Sequence, residues 1–169
     1  MGKLVFIWDN FGPLHADRCN AVAMKFEGKH QVIGLELAGQ SKLYGWLPEA
    51  GTHFRKITLV SGRSLEDIPF LGRFGKTLNA CVRVGHDSRY FLCHYQDPAM
   101  LLLALALRGL GRSVYTMGCS KFDDYPRKLT RELVKSFMYL PYSGAIASGV
   151  RSCDYLRFMG LPPEKIHSA

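Results

Sequence analysis

The sequence predicts an α/β domain: a three-layer, Rossmann-like fold built on a parallel sheet of six or seven strands. Three observations predict it. Short apolar runs typical of buried strands alternate with longer segments typical of helices. Most connections between them are short, which favours right-handed β-α-β units and a sheet covered by helices on both faces. The 169 residues, 47% of them hydrophobic, fit one domain with a substantial core.

Each element is predicted by its own residue pattern. Lys3–Asp9 is continuously apolar up to its last residue, which is typical of a strand buried on both faces. We expect Asp17 to cap the first helix, and Asp97-Pro98 to start the helix Ala99–Arg108, which ends at Gly109. Further strands are predicted at Gln31–Leu37, Phe54–Val60, Tyr90–Tyr95, Ser113–Met117, Ala145–Ser148 and Glu164–Ser168. The first helix is predicted to end at about Phe26, and another helix is predicted to begin at Gly62. The remaining helices are predicted at Leu71–Val84, Pro126–Tyr139 and Val150–Met159.

The charge balance favours an anionic partner. The chain has 22 Lys and Arg against 14 Asp and Glu, a formal charge of +8. An acidic membrane or a phosphorylated small molecule fits this charge, whereas nucleic acid is disfavoured because the aromatic residues do not alternate with the basic ones.

Five widely spaced cysteines without a CxxC pair argue against zinc and disulfides. We therefore expect a cytoplasmic protein. Peripheral attachment to the inner face of a membrane stays open as an alternative location.

Four loops are expected to carry the site, because ligands of this fold bind beyond the carboxyl ends of the strands. The loops are Asn10–Asp17, His94–Pro98, Gly118–Asp124 and Ser148–Ser152. In the first loop, Gly12 lets the backbone approach a ligand, and the helix that follows offers amide donors to an anion. His15 and Arg18 flank these donors. A tight turn with a solvated histidine and arginine is the alternative.

The end of the fourth strand places His94, Gln96 and Asp97 together in sequence. A polar histidine directly after a buried strand suggests a side chain that faces a ligand. The alternative is a core histidine beside an aspartate that only caps the next helix.

The helix Pro126–Tyr139 has an apolar side and a basic side. The apolar side consists of Leu129, Leu133, Phe137 and Leu140. The basic side consists of Lys128, Arg131 and Lys135. We expect the apolar side to face the core and the basic side to face solvent. The alternative is that the three basic residues face an anionic membrane.

Several segments occur in an order that is specific as a set. They are VFIWDNFGPLHADR, CHYQDP, LALALRGLGRSVYTMG, a basic helix with a short strand, and SCDYLRFMGLPPEKI. In this order and spacing, over essentially all 169 residues, they resemble the N-terminal, acceptor-side domain of GT-B retaining glycosyltransferases of the family-four type. The last segment is the most specific, because the family commonly shows a helix, a glycine, a small residue or proline, and an ending like Glu-Lys-Ile.

The resemblance implies a two-domain hexosyltransferase. Its N-terminal domain holds the acceptor, a lipid or a saccharide, and its C-terminal domain holds the nucleotide-sugar donor. Residues 1–169 are then expected to be the N-terminal domain without its donor-binding partner, and to be inactive alone. No metal and no covalently bound cofactor is expected. Gly118 departs from the family, because many members have a histidine at this position.

The chemistry of the loop residues agrees with this family and suggests roles for them. His94 or His15 is expected to position or polarise an acceptor hydroxyl, and Asp97 to orient His94, which makes His94 and Asp97 the catalytic candidates. Acceptor or phosphate binding is expected of Gly12, His15, Arg18, Gln96, Gly118 and Ser148. Two other functions stay open. One is an enzyme that uses another nucleotide cofactor, although the first loop lacks GxGxxG; the other is a non-catalytic module that binds anionic membranes.

Overall fold

Seven strands and five α-helices occur in the computed structural model, which describes residues 1–43, 45, 51–93, 95–124 and 126–168. The strands are β1 Gly2–Trp8, β2 His30–Gln40, β3 Arg55–Ser64, β4 Ser88–Leu92, β5 Ser113–Gly118, β6 Gly144–Ala147 and β7 Ile166–Ser168. The helices are α1 Pro13–Lys25, α2 Phe70–Val84, α3 Pro98–Gly109, α4 Leu129–Tyr139 and α5 Val150–Phe158. The sheet order is β3-β2-β1-β4-β5-β6-β7. The predicted three-layer, Rossmann-like α/β fold with a parallel sheet is confirmed.

The chain divides into two compact parts, Met1–Phe91 and Leu92–Ala169. In the first part, β2 pairs in parallel with β1 on one side and with β3 on the other. The side chains of residues 4–8 in β1 are all buried, as expected for a strand covered on both faces. Strand β3 is more exposed, since all ten of its residues are at least partly accessible.

Two predicted helix starts in the first part are wrong. Helix α1 begins at Pro13 with Gly12 as its N-cap, not at Asp17, because a proline at the first helical position is already constrained to helical φ. Gly62 does not open a helix but lies inside β3, with a φ of 73°. The pairing of β2 with β3 shifts between Ala38 and Gln40, so the glycine accommodates a bulge in the strand.

The aromatic core of the first part is built around a glycine. The rings of Phe11 and Phe54 stack with their centroids 5.8 Å apart. A Cβ at Gly34 would lie 2.6 Å from Phe11 Cζ and 2.7 Å from Phe54 Cε2. Strand β2 therefore needs a residue without a side chain where the two rings cross it.

In the second part, β6 pairs in parallel with β5 and with β7. Asp97 caps α3 as predicted, since its Oδ1 accepts a hydrogen bond of 2.8 Å from the Ala99 amide. Strand β4 ends at Leu92, not at Tyr95 as predicted. No helix of the described residues is long and apolar enough to cross a membrane.

Candidate functional site

The loop after β1 is held by a buried carboxylate. Glu36, which is fully buried in β2, accepts a hydrogen bond of 2.7 Å from the Phe11 amide on Oε1. Its Oε2 accepts a 2.7 Å bond from the Thr58 hydroxyl and lies 3.1 Å from Lys56 Nζ. This acid was not predicted as a site residue. The only signal in the sequence is a charged residue inside an otherwise apolar strand.

The three residues predicted around this loop have different environments. Gly12 is buried and precedes α1 in an extended conformation, with φ −82° and ψ 170°. The imidazole of His15 is half-buried and stacks on the Trp8 ring at 4.5 Å. Arg18 is exposed on α1. Glu36 thus fixes the loop by accepting the hydrogen bond of the Phe11 amide. The ligand contacts expected of Gly12, His15 and Arg18 stay predictions.

The second part contains a cleft of about 840 Å³ at the carboxyl ends of its strands. Its walls follow β4, β5 and β6 in the chain, as the fold predicts for a ligand site. The lining residues are Gln96, Cys119, Ser120, Lys121, Asp124, Arg127, Arg131, Lys135, Ser148, Gly149, Val150, Arg151 and Ser152. Five are cations and one is a carboxylate. The cleft therefore favours an anionic ligand.

Helix α5 points its N-terminus at this cleft. Gly149 is the N-cap residue, with a φ of 149° that L-residues with side chains rarely adopt. Its carbonyl accepts the amides of Ser152 and Cys153 at 3.1 and 3.0 Å. No side chain of the described residues caps the helix, so the first-turn amides and the positive end of the helix dipole add to the field of the cations.

The cations of the cleft differ in how strongly they are neutralised. Arg151 pairs with Asp123, and Lys121 lies 3.8 Å from Asp124. Within the described part of the chain, Arg131 makes no ion pair. Its guanidinium is the group in the cleft that is most available to an incoming anion.

A buried ion network forms the base of the cleft. Glu132 accepts bonds from the Tyr155 hydroxyl at 2.6 Å and from Lys135 Nζ at 3.0 Å. Arg127 lies 3.3 Å from the same carboxylate, and its guanidinium stacks on the Tyr155 ring at 4.6 Å. Burial alone would raise the pKa of Glu132, but these hydrogen bonds and cations outweigh it and hold the pKa below its ordinary value. The pKa of Tyr155 is raised, chiefly by burial.

The network corrects two expectations for the basic helix. Lys135 is not membrane-facing, because it is 6% exposed and bound to Glu132. The predicted apolar stripe does not face the core: Leu129, Leu133, Phe137 and Leu140 are all exposed. The buried positions of α4 are Glu132, Lys135 and Tyr139 instead. Lys128 and Arg131 are exposed, as expected.

The other predicted residues of the second part differ in what they do in the structure. Gln96 and Ser148 line the cleft together. Gly118 supports it through its carbonyl, which accepts the Ser148 amide and the Ser152 hydroxyl, each at 3.2 Å. Asp97 acts as the cap of α3. His94 lies outside the described residues, so its catalytic role stays a prediction.

The structure also shows cleft residues that the sequence analysis did not select. Lys121, Arg127 and Arg151 line the cleft beside the predicted Gln96 and Ser148. Lys121 and Arg151 lie in the loops 118–124 and 148–152, which the sequence predicts to carry the site. The available signal was the density of basic residues after the predicted fifth and sixth strands.

A parallel α/β sheet with an anion-attracting cleft beyond its strand ends is the arrangement of Rossmann-like domains that bind phosphorylated ligands. Among solved structures, the chain is similar to Anabaena Alr3699/HepE in complex with UDP and glucose (TM-score 0.60, 15% identity, 99% of this chain and 44% of that chain). It is also similar to the lipopolysaccharide outer core galactosyltransferase WaaB (0.60, 14%, 97% and 44%). A third is the UDP-GlcNAc 2-epimerase from Neisseria meningitidis bound to UDP-GlcNAc (0.58, 10%, 99% and 45%).

These similarities establish a GT-B-type fold shared with UDP-sugar enzymes. The chain spans less than half the length of each of these structures. No protein-family profile matches the sequence, and no curated protein matches it.

Proposed function

We propose that this chain is the acceptor-binding half of a glycosyltransferase, and that its acceptor carries an anionic group. The observation that carries the proposal is the cleft in the second part, where five cations and the α5 N-terminus face one space. The GT-B-type fold supports the reaction class, and the resemblance to family-four enzymes supports retaining transfer. The sugar donor is a nucleotide-sugar held mainly by a second domain or a separate subunit.

The residues of the cleft contribute binding and orientation. Arg131 and Arg151 attract the anion, while the first-turn amides of α5 donate to its oxygens. The buried Glu132 network positions Arg127 and Lys135, which keeps their charges in place before the ligand arrives. Transfer itself requires that an acceptor hydroxyl be positioned near the donor sugar. We assign that step to His94 and Asp97, on the chemistry of these side chains. The acceptor or phosphate contacts expected of Gly12, His15 and Arg18 belong to the first part and stay predictions.

Two arginines of α5 allow a matched test. Arg151 lines the cleft and pairs with Asp123, whereas Arg157 pairs with Asp154 and does not line it. Isothermal titration calorimetry of the 169-residue chain with inorganic pyrophosphate should show binding. Arg151→Gln should weaken it about three- to tenfold, in line with one lost charge-assisted contact at an exposed site, and Arg157→Gln should leave it unchanged.

The same chain also tests whether the cleft binds the acceptor or the nucleotide-sugar donor. With UDP-glucose as the donor probe, we expect no turnover and no tight binding. Tight UDP-glucose binding that Arg151→Gln abolishes would make the cleft a donor site and overturn the acceptor assignment. Equal loss of pyrophosphate binding in Arg151→Gln and Arg157→Gln would show that the cleft is not the anion site.

A further inference from the structure

The buried network at the base of the cleft holds more positive than negative charge. Arg127 and Lys135 both face one carboxylate, that of Glu132, at 3.3 and 3.0 Å. Burial alone would raise the pKa of Glu132, but hydrogen bonds and the two cations hold it below its ordinary value, so this carboxyl is ionised at neutral pH. Tyr155 stays neutral, because burial raises its pKa. One positive charge of the network therefore lacks a counter-charge among the described residues.

This surplus charge is buried, unlike the cations nearer to solvent. The side chain of Lys135 is 7% exposed and that of Arg127 is 19% exposed, whereas the side chain of Arg151 is 68% exposed. Water stabilises an exposed cation, but a buried cation without a counter-charge is costly. An anion bound at the base of the cleft would therefore remove a cost that an anion bound near the exposed cations would leave in place.

Lys135 also has a hydrogen-bond donor to spare. Its Nζ donates to Glu132 Oε1 at 3.0 Å and to the Tyr155 hydroxyl at 3.3 Å. A lysine ammonium has three N–H donors, so one of them has no acceptor within the part of the chain that the structure describes. Because Lys135 and Arg127 both line the cleft, a ligand oxygen can supply the acceptor that the protein does not.

We propose that Arg127 and Lys135 form an inner subsite for a phosphate group of the acceptor, and that Glu132 competes with this phosphate for the two cations. Lys135 donates its remaining N–H to a phosphate oxygen, and the phosphate neutralises the surplus charge. A phosphate suits the subsite because its several oxygens accept from an ammonium and a guanidinium at the same time. The inference rests on the proposed anion-binding function of the cleft and adds where the anion is held.

Variants that change the charge of the network test the proposal, with inorganic pyrophosphate as the probe in calorimetry. Lys135→Met removes the surplus charge and the spare donor, so it should weaken binding at least about tenfold. Glu132→Gln removes the competing carboxylate and should tighten binding about three- to tenfold, although it destabilises the fold. The double variant should have an affinity between those of the two single variants. If Glu132 only kept Arg127 and Lys135 in place, its loss would weaken binding instead.

Two control variants change the net charge by the same amounts outside the cleft. Arg157→Gln matches Lys135→Met in charge, and Asp154→Asn matches Glu132→Gln. Arg157 and Asp154 lie on α5 and pair with each other, and neither lines the cleft. Both controls should bind pyrophosphate as the parent chain does. Effects equal to those of the network variants would mean that only the net charge matters, and would contradict a subsite.

Thermal unfolding provides a second readout that does not require Glu132→Gln to be fully folded in buffer. A ligand that binds only the folded state raises the Tm, and it does so more when its affinity is higher. At one pyrophosphate concentration, the gain in Tm should be largest in Glu132→Gln and smallest in Lys135→Met. A smaller gain in Glu132→Gln than in the parent chain would overturn the proposal.

Two further probes carry a phosphate on a sugar and on a lipid, glucose 6-phosphate and vesicles that contain phosphatidic acid. Binding of either probe that Lys135→Met abolishes would support the subsite and identify the source of the phosphate, and binding that Lys135→Met leaves unchanged would contradict it. Pyrophosphate binding that is weakened in Arg151→Gln but not in Lys135→Met would overturn the inner subsite alone and leave the proposed function standing. If the parent chain binds no pyrophosphate, both proposals fail.

Discussion

Glu132 is the residue on which the base of the cleft depends. Its carboxylate takes hydrogen bonds from Tyr155 and Lys135 and lies beside Arg127. A buried ammonium such as that of Lys135 is tolerated only while such a partner is present, because desolvation of an unpaired charge is costly. The acid therefore explains why two cations are held in fixed positions at the base of the cleft.

Glu132→Gln should destabilise the chain by about 3 kcal/mol, because it leaves Lys135 buried without a counter-charge. Urea unfolding of Glu132→Gln, Lys135→Met and the double variant forms a double-mutant cycle. We expect the double variant to lose less stability than the two single losses combined, by about 1–3 kcal/mol. Losses that add to within about 0.5 kcal/mol would show that the ion pair has no net coupling.

Strand β2 illustrates how one glycine sets the packing of an element. Gly34 and Gly39 both lie in β2, but only Gly34 is crossed by aromatic rings. A Cβ at Gly34 would approach Phe11 to 2.6 Å, whereas at Gly39 the nearest atom, Thr58 Cγ2, would be 3.6 Å away. The first distance requires the rings to move, and the second is an ordinary contact.

Gly34→Ala should therefore lower the free energy of unfolding by about 1–3 kcal/mol through overpacking. Gly39→Ala, the control in the same strand, should change it by less than about 0.5 kcal/mol. Thermal or urea denaturation of both variants measures the difference. Equal effects of the two substitutions would mean that the rings of Phe11 and Phe54 repack freely, contrary to the expectation from the core geometry.

Helix α4 shows that the spacing of apolar residues does not predict which side of a helix is buried. The stripe from Leu129 to Leu140 has the spacing of a core-facing side. Periodicity identifies two sides of a helix but not the direction in which each side points. Tyr155 on α5 bonds both Glu132 and Lys135 and so decides that direction, and it lies 20 or more residues away from them in sequence.

At the scale of the whole molecule, buried tyrosines couple stability to alkaline pH. Burial raises the pKa of Tyr139, Tyr142 and Tyr155 above the ordinary value of 10.0. The unfolded chain releases these protons near pH 10, while the folded chain keeps them, so the unfolded state binds fewer protons there. Stability is accordingly full below about pH 10 and falls as the pH rises further.

Urea unfolding between about pH 8 and about pH 11 should show this fall. Tyr142→Phe should make it shallower, because one of the three groups no longer titrates. The substitution should cost little at neutral pH, since the Tyr142 hydroxyl is buried with no hydrogen-bond partner among the described residues. An unchanged slope in Tyr142→Phe would show that its ionisation does not contribute.

Local patterns were sufficient for the order of the elements and for the fold class. Apolar strands, the Asp97-Pro98 start of α3 and the alternation of strand and helix are signals within a few residues, and a parallel sheet follows from them. The same logic located the loops at 118–124 and 148–152, which both line the cleft. It also selected Gln96 and Ser148 as residues facing a ligand.

Only the tertiary structure decided which charged residues pair with one another and which of them line the cleft. A lysine on the basic side of a helix is expected at the surface, yet Lys135 is buried. Its burial is possible because Glu132 neutralises its charge and the Tyr155 hydroxyl accepts a hydrogen bond from it. Arg127 and Arg151 face the cleft because α4 and α5 bring distant chain segments to one place. The solvent exposure of the apolar stripe of α4 has the same origin. Long-range pairing changes the cost of burying a charge, and no local pattern contains that information.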